Sequence, residues 1–171
     1  MDRTLSTAIV IAVILLALAG MYFGWRARQK RQSTLPRPEP VPADAGSELL
    51  TSEVFYVATT VAGEPLNRIA VSGLGYRSRA SVTVTEHGVV LAIAGEPEAF
   101  IPAAALRGVD RATWTIDRVV ETGGLVRIAW SLGQTDVDSY LRVAEPADPT
   151  PLIDALESLL GATSMQESES L

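Results

Sequence analysis

The stretch "VSGLGYRSRASVTVTEHGVVLAIAG", Val71 to Gly95, decides how the chain is read. Two glycines and two arginines run into a period-two segment, so the stretch is either a phosphate-gripping loop or a turn into a β-hairpin. Val82 and Val84 alternate with Ser81, Thr83 and Thr85, the pattern of a half-buried strand. Glu86-His87-Gly88 reverses the chain, with Gly88 suited to a positive φ, and an apolar return strand follows. Gly73-Leu74-Gly75 lacks the third glycine and the strand-to-helix setting of a dinucleotide fingerprint. The two glycines are instead expected to relieve backbone crowding at a sharp bend. The stretch reads as a turn into a hairpin.

The same texture extends outward. "VFYVATT" (Val54 to Thr60) is rich in β-branched and aromatic residues and predicts a strand. "ATWTIDRVVETGGLVRIAWSLG" predicts a second hairpin reversing at Gly123-Gly124, with Trp114 and Trp130 at core positions. "TDVDSYLRVA" follows, with Val137, Leu141 and Val143 inward and Asp136, Asp138 and Arg142 outward. Between the hairpins lies a short strand at Phe100 to Pro102 and a one- or two-turn element. In "DPTPLIDALESLLG", Thr150 is suited to cap a helix, with Pro151 at its first position and Gly161 closing it. Leu152, Ile153, Leu156, Leu159 and Leu160 then share one face. The expected fold is mainly β, a small barrel or strongly bent sandwich of about seven antiparallel strands whose open end a C-terminal α-helix plugs.

The N-terminus differs from this body. Thr4 to Trp25, "TLSTAIVIAVILLALAGMYFGW", carries no charge over 22 residues. As a helix it is about 33 Å long, enough for a hydrocarbon core of about 30 Å. Tyr22 and Trp25 suit the lipid–water interface, and Arg26, Arg28, Lys30 and Arg31 follow at once. A cleaved signal is the rival, since Ala17-Leu18-Ala19 resembles a small-residue cleavage site. Against it, Met21, Tyr22 and Phe23 prolong the apolar run and the basic cluster sits on the wrong flank. The expectation is a single-pass anchor in the cell (plasma) membrane, N-terminus outside and C-terminal domain cytoplasmic. The implied organisation is a tail at 1–3, a transmembrane helix at 4–25, a basic juxtamembrane segment at 26–31 and a Pro-rich linker at 32–52. The β domain occupies 53–161 and an acidic disordered tail 162–171. Four prolines between Pro36 and Pro42 make the linker an extended, unpacked spacer.

Charge narrows the function. Of 14 basic residues five lie in the first 31 positions, leaving 9 basic against 19 acidic beyond them, a net of about −10. Such a body does not neutralise phosphates along a nucleic acid, nor lie flat on anionic lipid. No cysteine is present, and His87, beside Gly88, is the single histidine and an expected turn residue. No nucleophile elbow, metal-ligand spacing or placed acid/base pair appears, so no enzyme, cofactor or metal is expected. Asp136 and Asp138 share a strand face but lack a third carboxylate nearby for a divalent cation. Arg77 and Arg79 fall on one strand face, with Arg68 across the loop. These three are the candidate ligand-binding residues, for a phosphate-bearing head group or ligand.

The stretches "YVATTVAGEPLNRIAVSGLGYRSRASVTVTEHGV", "FIPAAALRGVDRATWTIDRVVETGGLVRIAW" and "TDVDSYLRV", with the N-terminal anchor, resemble a family of actinobacterial single-pass membrane proteins with a pleckstrin-homology-like (PH-like) domain. The resemblance covers most of Tyr56 to Val143 and carries over no catalytic residues. It implies a membrane-anchored, non-enzymatic binding or scaffold module. The expected partners are the lipid bilayer and a protein recognised through an exposed strand edge or the groove beside the helix. A phosphorylated-ligand or lipid sensor built on Arg68, Arg77 and Arg79 is the alternative.

Overall fold

The computed structural model describes residues 3–32, 35–69, 73–112, 114–115, 118–119, 124–144 and 148–169. It divides into two compact units, residues 1–34 and 35–171. The first is a single helix, α1 (Arg3–Gln32), which runs on unbroken through the basic cluster. Its apolar side chains, among them Leu16, Met21 and Phe23, are exposed, and the Tyr22 ring meets Phe23 edge-on at 5.8 Å. Within the described residues no helix is long and apolar enough to cross a membrane. In the sequence the uncharged run extends from Thr4 to Trp25.

The second unit is built on β1 (Glu48–Val61), a strand of 14 residues that begins earlier than the sequence pattern suggests. Residues 48–56 pair with β3 (Ser78–Thr85), and residues 54–61 pair with β10 (Thr135–Val143) on the other side. β2 (Glu64–Arg68) folds back on the end of β1, while β4 (Gly88–Ile93) and β5 (Ala99–Pro102) extend the sheet beyond β3. Beyond β10 come β9 (Leu125–Leu132) and β6 (Leu106–Ala112). All pairings are antiparallel, in the order β5-β4-β3-β1-β10-β9-β6 with β2 beside β1. The expected closed barrel of about seven strands is therefore an open, eight-stranded sheet. β5 is short and ends in Pro102, which has no N–H for a further neighbour. The chain then leaves the sheet through a 3₁₀ turn (Ala103–Ala105) before β6 begins.

The second hairpin also differs from expectation. Trp114–Thr115 (β7) pairs antiparallel with Arg118–Val119 (β8), a two-stranded pair the sequence pattern did not suggest, whereas the expected reversal at Gly123-Gly124 falls partly outside the described residues. Gly123 and the Trp114 side chain lie outside what is described. The first hairpin turns where predicted, but Gly88 serves a different need. A Cβ there would fall inside van der Waals contact of the Ile101 carbonyl oxygen and 2.6 Å from Phe100 Cζ. Glycine is required by the close approach of β5, not by the expected positive φ, whereas Gly73 takes a left-handed backbone (φ 83°).

A β-bulge between Tyr56 and Ala58 shifts the register of β1 against β10. The extra residue, Val57, restores to the core a residue that strict alternation would turn outward, so Tyr56 and Thr59 both face inward. They meet a polar chain through an otherwise apolar core. Trp130 Nε1 donates to Ser139 Oγ at 2.9 Å, and Ser139 Oγ lies 2.7 Å from Thr59 Oγ1. Thr59 Oγ1 in turn lies 2.7 Å from the Tyr56 hydroxyl, which donates to the Leu74 carbonyl at 2.9 Å. Each hydroxyl holds one proton, and running the donors from Trp130 to Leu74 satisfies every group. Burial, partly offset by Thr59, pushes the Tyr56 phenol up to about 12.

α2 (Thr150–Glu169) covers the core with Leu152, Ile153, Leu156 and Leu159 buried and Leu160 packed beside them, the face read from the sequence. It packs on β6, β1 and the 3₁₀ turn. Asp148 accepts from the Thr150 N–H at 2.9 Å and from its hydroxyl at 2.7 Å, and these bonds hold the Asp148 carboxyl below its ordinary range. The helix does not stop at Gly161. A single helical glycine costs only about 1 kcal/mol, and the expected disordered tail of 162–171 is helical as far as Glu169.

The linker is the largest departure. Residues 35–47 are not an unpacked spacer but a strap laid along the domain. Leu35 packs against the core. Pro36 sits over the β9–β10 turn so closely that a Cβ on Gly133 would come within 2.7 Å of its ring. The Phe100 N–H donates to the Glu39 carbonyl at 2.7 Å, which covers the outer edge of β5. At the β3–β4 turn, Glu86 N–H donates to Ser47 O and His87 N–H to Ala45 O, while Ser47 N–H donates to the Glu86 carboxylate at 2.9 Å. That bond lowers the Glu86 carboxyl below its usual range.

Two outcomes follow. Unfolded tyrosine ionises near 10 but native Tyr56 only near 12, so above pH 10 the unfolded chain binds fewer protons and stability falls. Denaturant melts should show a loss approaching about 3 kcal/mol between pH 10 and pH 12. Tyr56→Phe should cost about 1–2 kcal/mol at neutral pH and shrink that alkaline loss. Gly88→Ala should destabilise by about 2 kcal/mol or more in the same assay, because the Ile101 backbone, which cannot swing aside as a side chain can, would have to shift.

Candidate functional site

The three arginines singled out in the sequence occupy different places. Arg68, half-buried at the end of β2, donates through Nη2 to the Val57 carbonyl at 2.8 Å and so helps hold the bulge. Arg77 is exposed and precedes β3 rather than sharing its face with Arg79. Arg79 is exposed on β3, opposite Phe55 of β1. Of the three, only Arg79 lines a described groove. His87 is an exposed turn residue as expected; its Nδ1 lies 3.4 Å from the Asp44 carbonyl and 4.0 Å from the Asp44 carboxylate, so it serves the strap.

The outer face of the sheet carries an ionic cluster that sequence reading missed. Asp110 on β6, Arg127 on β9 and Tyr140 on β10 stand in one cross-strand row. Arg127 grips the Asp110 carboxylate through Nε at 3.0 Å and more closely through Nη2, and reaches Asp138 with Nη1 at 3.4 Å. Asp138, expected to be solvated, is only 3% exposed. The Asp110 bond outweighs desolvation and raises Arg127 further above its ordinary value. Burial, then the Asp138 charge, raises the Tyr140 phenol. Every charge here is answered by a neighbour, and no group of three or more metal-ligating side chains occurs among the described residues. The cluster clamps three strands together and has the character of a support, not of a reacting centre.

Among the described residues, two surfaces stand out as open. One is an open groove of about 540 Å³ over the middle of the sheet, lined by Glu53, Phe55, Arg79 and Arg142. The other is the outer edge of β6, where the strand order ends among the described residues. α2 runs beside this edge. Exposed Arg107 and Arg111 flank it: Arg107 Nε donates to Ser131 at 2.8 Å, and Arg111 Nη2 to the Thr150 hydroxyl at 2.7 Å. The opposite end of the sheet differs, because β5 is shortened by proline and covered by Glu39 of the strap.

Replacing Arg127 by leucine should leave the buried Asp138 without its cation and cost about 3 kcal/mol in chemical denaturation. Asp138→Asn in the same background should recover a large part of that loss, which a mere packing defect would not allow. Compared with known proteins, residues 33–157 match a family model described as "Bacterial PH domain-like". No curated protein matches the chain.

Proposed function

The chain belongs to the bacterial PH domain-like family, and we propose that it is a membrane-anchored, non-enzymatic binding module that engages a protein partner by strand addition at β6. PH-like domains are generally binding modules rather than enzymes. The observation that carries the reading is the asymmetry of the two sheet ends. β5 is blocked by Pro102 and the strap, while β6 offers its backbone near α2 with no strand paired on that side among the described residues. An extended segment of a partner gains backbone hydrogen bonds at such an edge and side-chain contacts along the helix. At its rim Arg107 and Arg111 are paired within the chain, at 3.8 Å with Asp136 and at 3.9 Å with Asp148, so the rim offers charges of both signs.

The anchoring part rests on the uncharged run from Thr4 to Trp25 and on the basic residues Arg26, Arg28, Lys30 and Arg31 after it. Tyr22 and Trp25 supply interfacial aromatic rings, and the positive flank favours a cytoplasmic domain with the N-terminus outside. Tethering raises the concentration of the module near membrane partners, so weak contacts suffice.

The absence of cysteine makes topology directly testable. A Ser170→Cys variant in intact cells should resist an impermeant maleimide and react after lysis. Labelling in intact cells, or a mature chain beginning after Ala19, would refute the cytoplasmic assignment. For the edge, a photo-crosslinking amino acid at Arg107 or Arg111 of the full chain should give adducts in native membranes that the same probe at Glu64 on β2 does not. Equal adducts at all three positions would remove the case for β6.

A further inference from the structure

Strand addition at β6 leaves the identity of the added strand open, and the residues along that edge narrow it. Among the described residues β6 is the last strand of the sheet, paired with β9 alone. Arg107 is the extra residue of a bulge between Leu106 and Gly108. Its guanidinium reaches Ser131 at 2.8 Å and Asp136 at 3.8 Å on the outer face. Gly108 and Asp110 follow on that face, with Asp110 in the grip of Arg127. Val109 between them turns inward and packs beside the core. Arg111, next along, stands 3.9 Å from Asp148. Beyond Arg31 the chain carries 9 basic against 19 acidic residues, but each of these three arginines is matched by an aspartate. The edge is a locally neutral strip on an acidic body.

We infer that the strand added at β6 is β6 of a second copy of this chain, the two running antiparallel about a two-fold axis at Val109. This pairing rests on the strand-addition reading and specifies the partner it takes. A two-fold contact brings one patch against itself, so two bodies of like net charge meet at least cost where their charges already balance. Like charges directly opposite across a strand pair are unfavourable, and this selects the register. Centring the pair on Asp110 would set two carboxylates face to face, and centring it on Arg111 two guanidinium groups. Centring it on Gly108 would carry the bulge into the middle of the ladder. Centring it on Val109 sets an apolar side chain against its own copy and Gly108 against Asp110. Gly108 has no side chain, which leaves room for the Asp110 carboxylate and the Arg127 that holds it. Arg107 then comes beside the second copy's Asp110. Asp136, Arg107, the second copy's Asp110 and its Arg127 make one row of alternating charge, formed twice by symmetry. No group leaves its present partner, because a carboxylate accepts more than one donor. So short a ladder lies at the small end of interface sizes, and a shared membrane supplies the local concentration it needs.

The test uses the purified full chain reconstituted in neutral phospholipid vesicles. Directly opposed residues on paired strands have Cβ atoms about 4.5–5.5 Å apart, near the span of a disulfide. The chain has no cysteine, so Val109→Cys should give a covalent dimer on mild oxidation about tenfold faster than Glu64→Cys on β2. Adding Arg107→Asp should slow that cross-link about tenfold, because a carboxylate then stands beside the second copy's Asp110. Val109 packs against the core, so a second probe leaves it in place. A photo-crosslinking amino acid at exposed Arg111 should give an adduct of twice the chain's mass. The absence of that double-mass adduct, or a Val109→Cys cross-link indifferent to Arg107→Asp, would overturn self-pairing. Strand addition itself would survive such a result if the Arg111 probe in native membranes gave adducts of another mass. It would fall together with self-pairing if native membranes gave none.

Discussion

The domain depends on the bulge at Val57. Without it, period-two alternation along β1 would send Thr59 to the outer face when Tyr56 points in. With it, Tyr56, Thr59, Ser139 and Trp130 form one hydrogen-bonded thread through an apolar core. A buried polar group is tolerated only when its bonds are complete. The thread completes itself by reaching the Leu74 carbonyl, and this holds Leu74, ahead of β3, over the core. The bulge, the core and the covering loop are thus consequences of a single extra residue. Arg68 secures it from the outer side through the Val57 carbonyl.

Around that strand the two halves of the sheet are held by different means. The β3–β4 side is closed by apolar side chains and the tight approach of β5 to Gly88. The β10–β9–β6 side has, in addition, the Arg127 clamp on its outer face. A second small apolar cluster, Val57, Ala58, Leu125 and Tyr140, lies on the same strands as that clamp. Buried ion pairs add little net stability but penalise any register that separates them.

Local periodicity made much of this legible. The β3–β4 hairpin, the inward valines and Trp130, the short β5 with its following turn, and the buried face of α2 all follow from alternation or helical spacing. What was not legible depended on partners distant in the chain. Four prolines read as a spacer because composition reports stiffness, whereas the strap is defined by hydrogen bonds to Phe100 and to the β3–β4 turn. The start of β1 was hidden because Glu48, Leu49 and Leu50 do not alternate cleanly. Gly161 read as a stop because the residues beyond it are polar, yet nothing in them opposes a helix. Asp138 read as solvated because its cation lies on the neighbouring strand. The same limit applied to the open surfaces: of the groove, only Arg79 was noticed, since Phe55 and Arg142 join it solely through strand register.

The strap has a mechanical consequence. Tension on the chain ahead of Leu35 cannot load β1 directly; it reaches the domain through the seat of Pro36 on Gly133, then the Glu39–Phe100 bond, then the cluster of contacts around Glu86 and His87. These attachments are strung out along the chain, so a steady tug meets them one after another, as in peeling tape, and the load at which each yields is small. The sheet behind them is shielded from shear until the last has given way, and the outer edge of β5 is bared well before the core is disturbed.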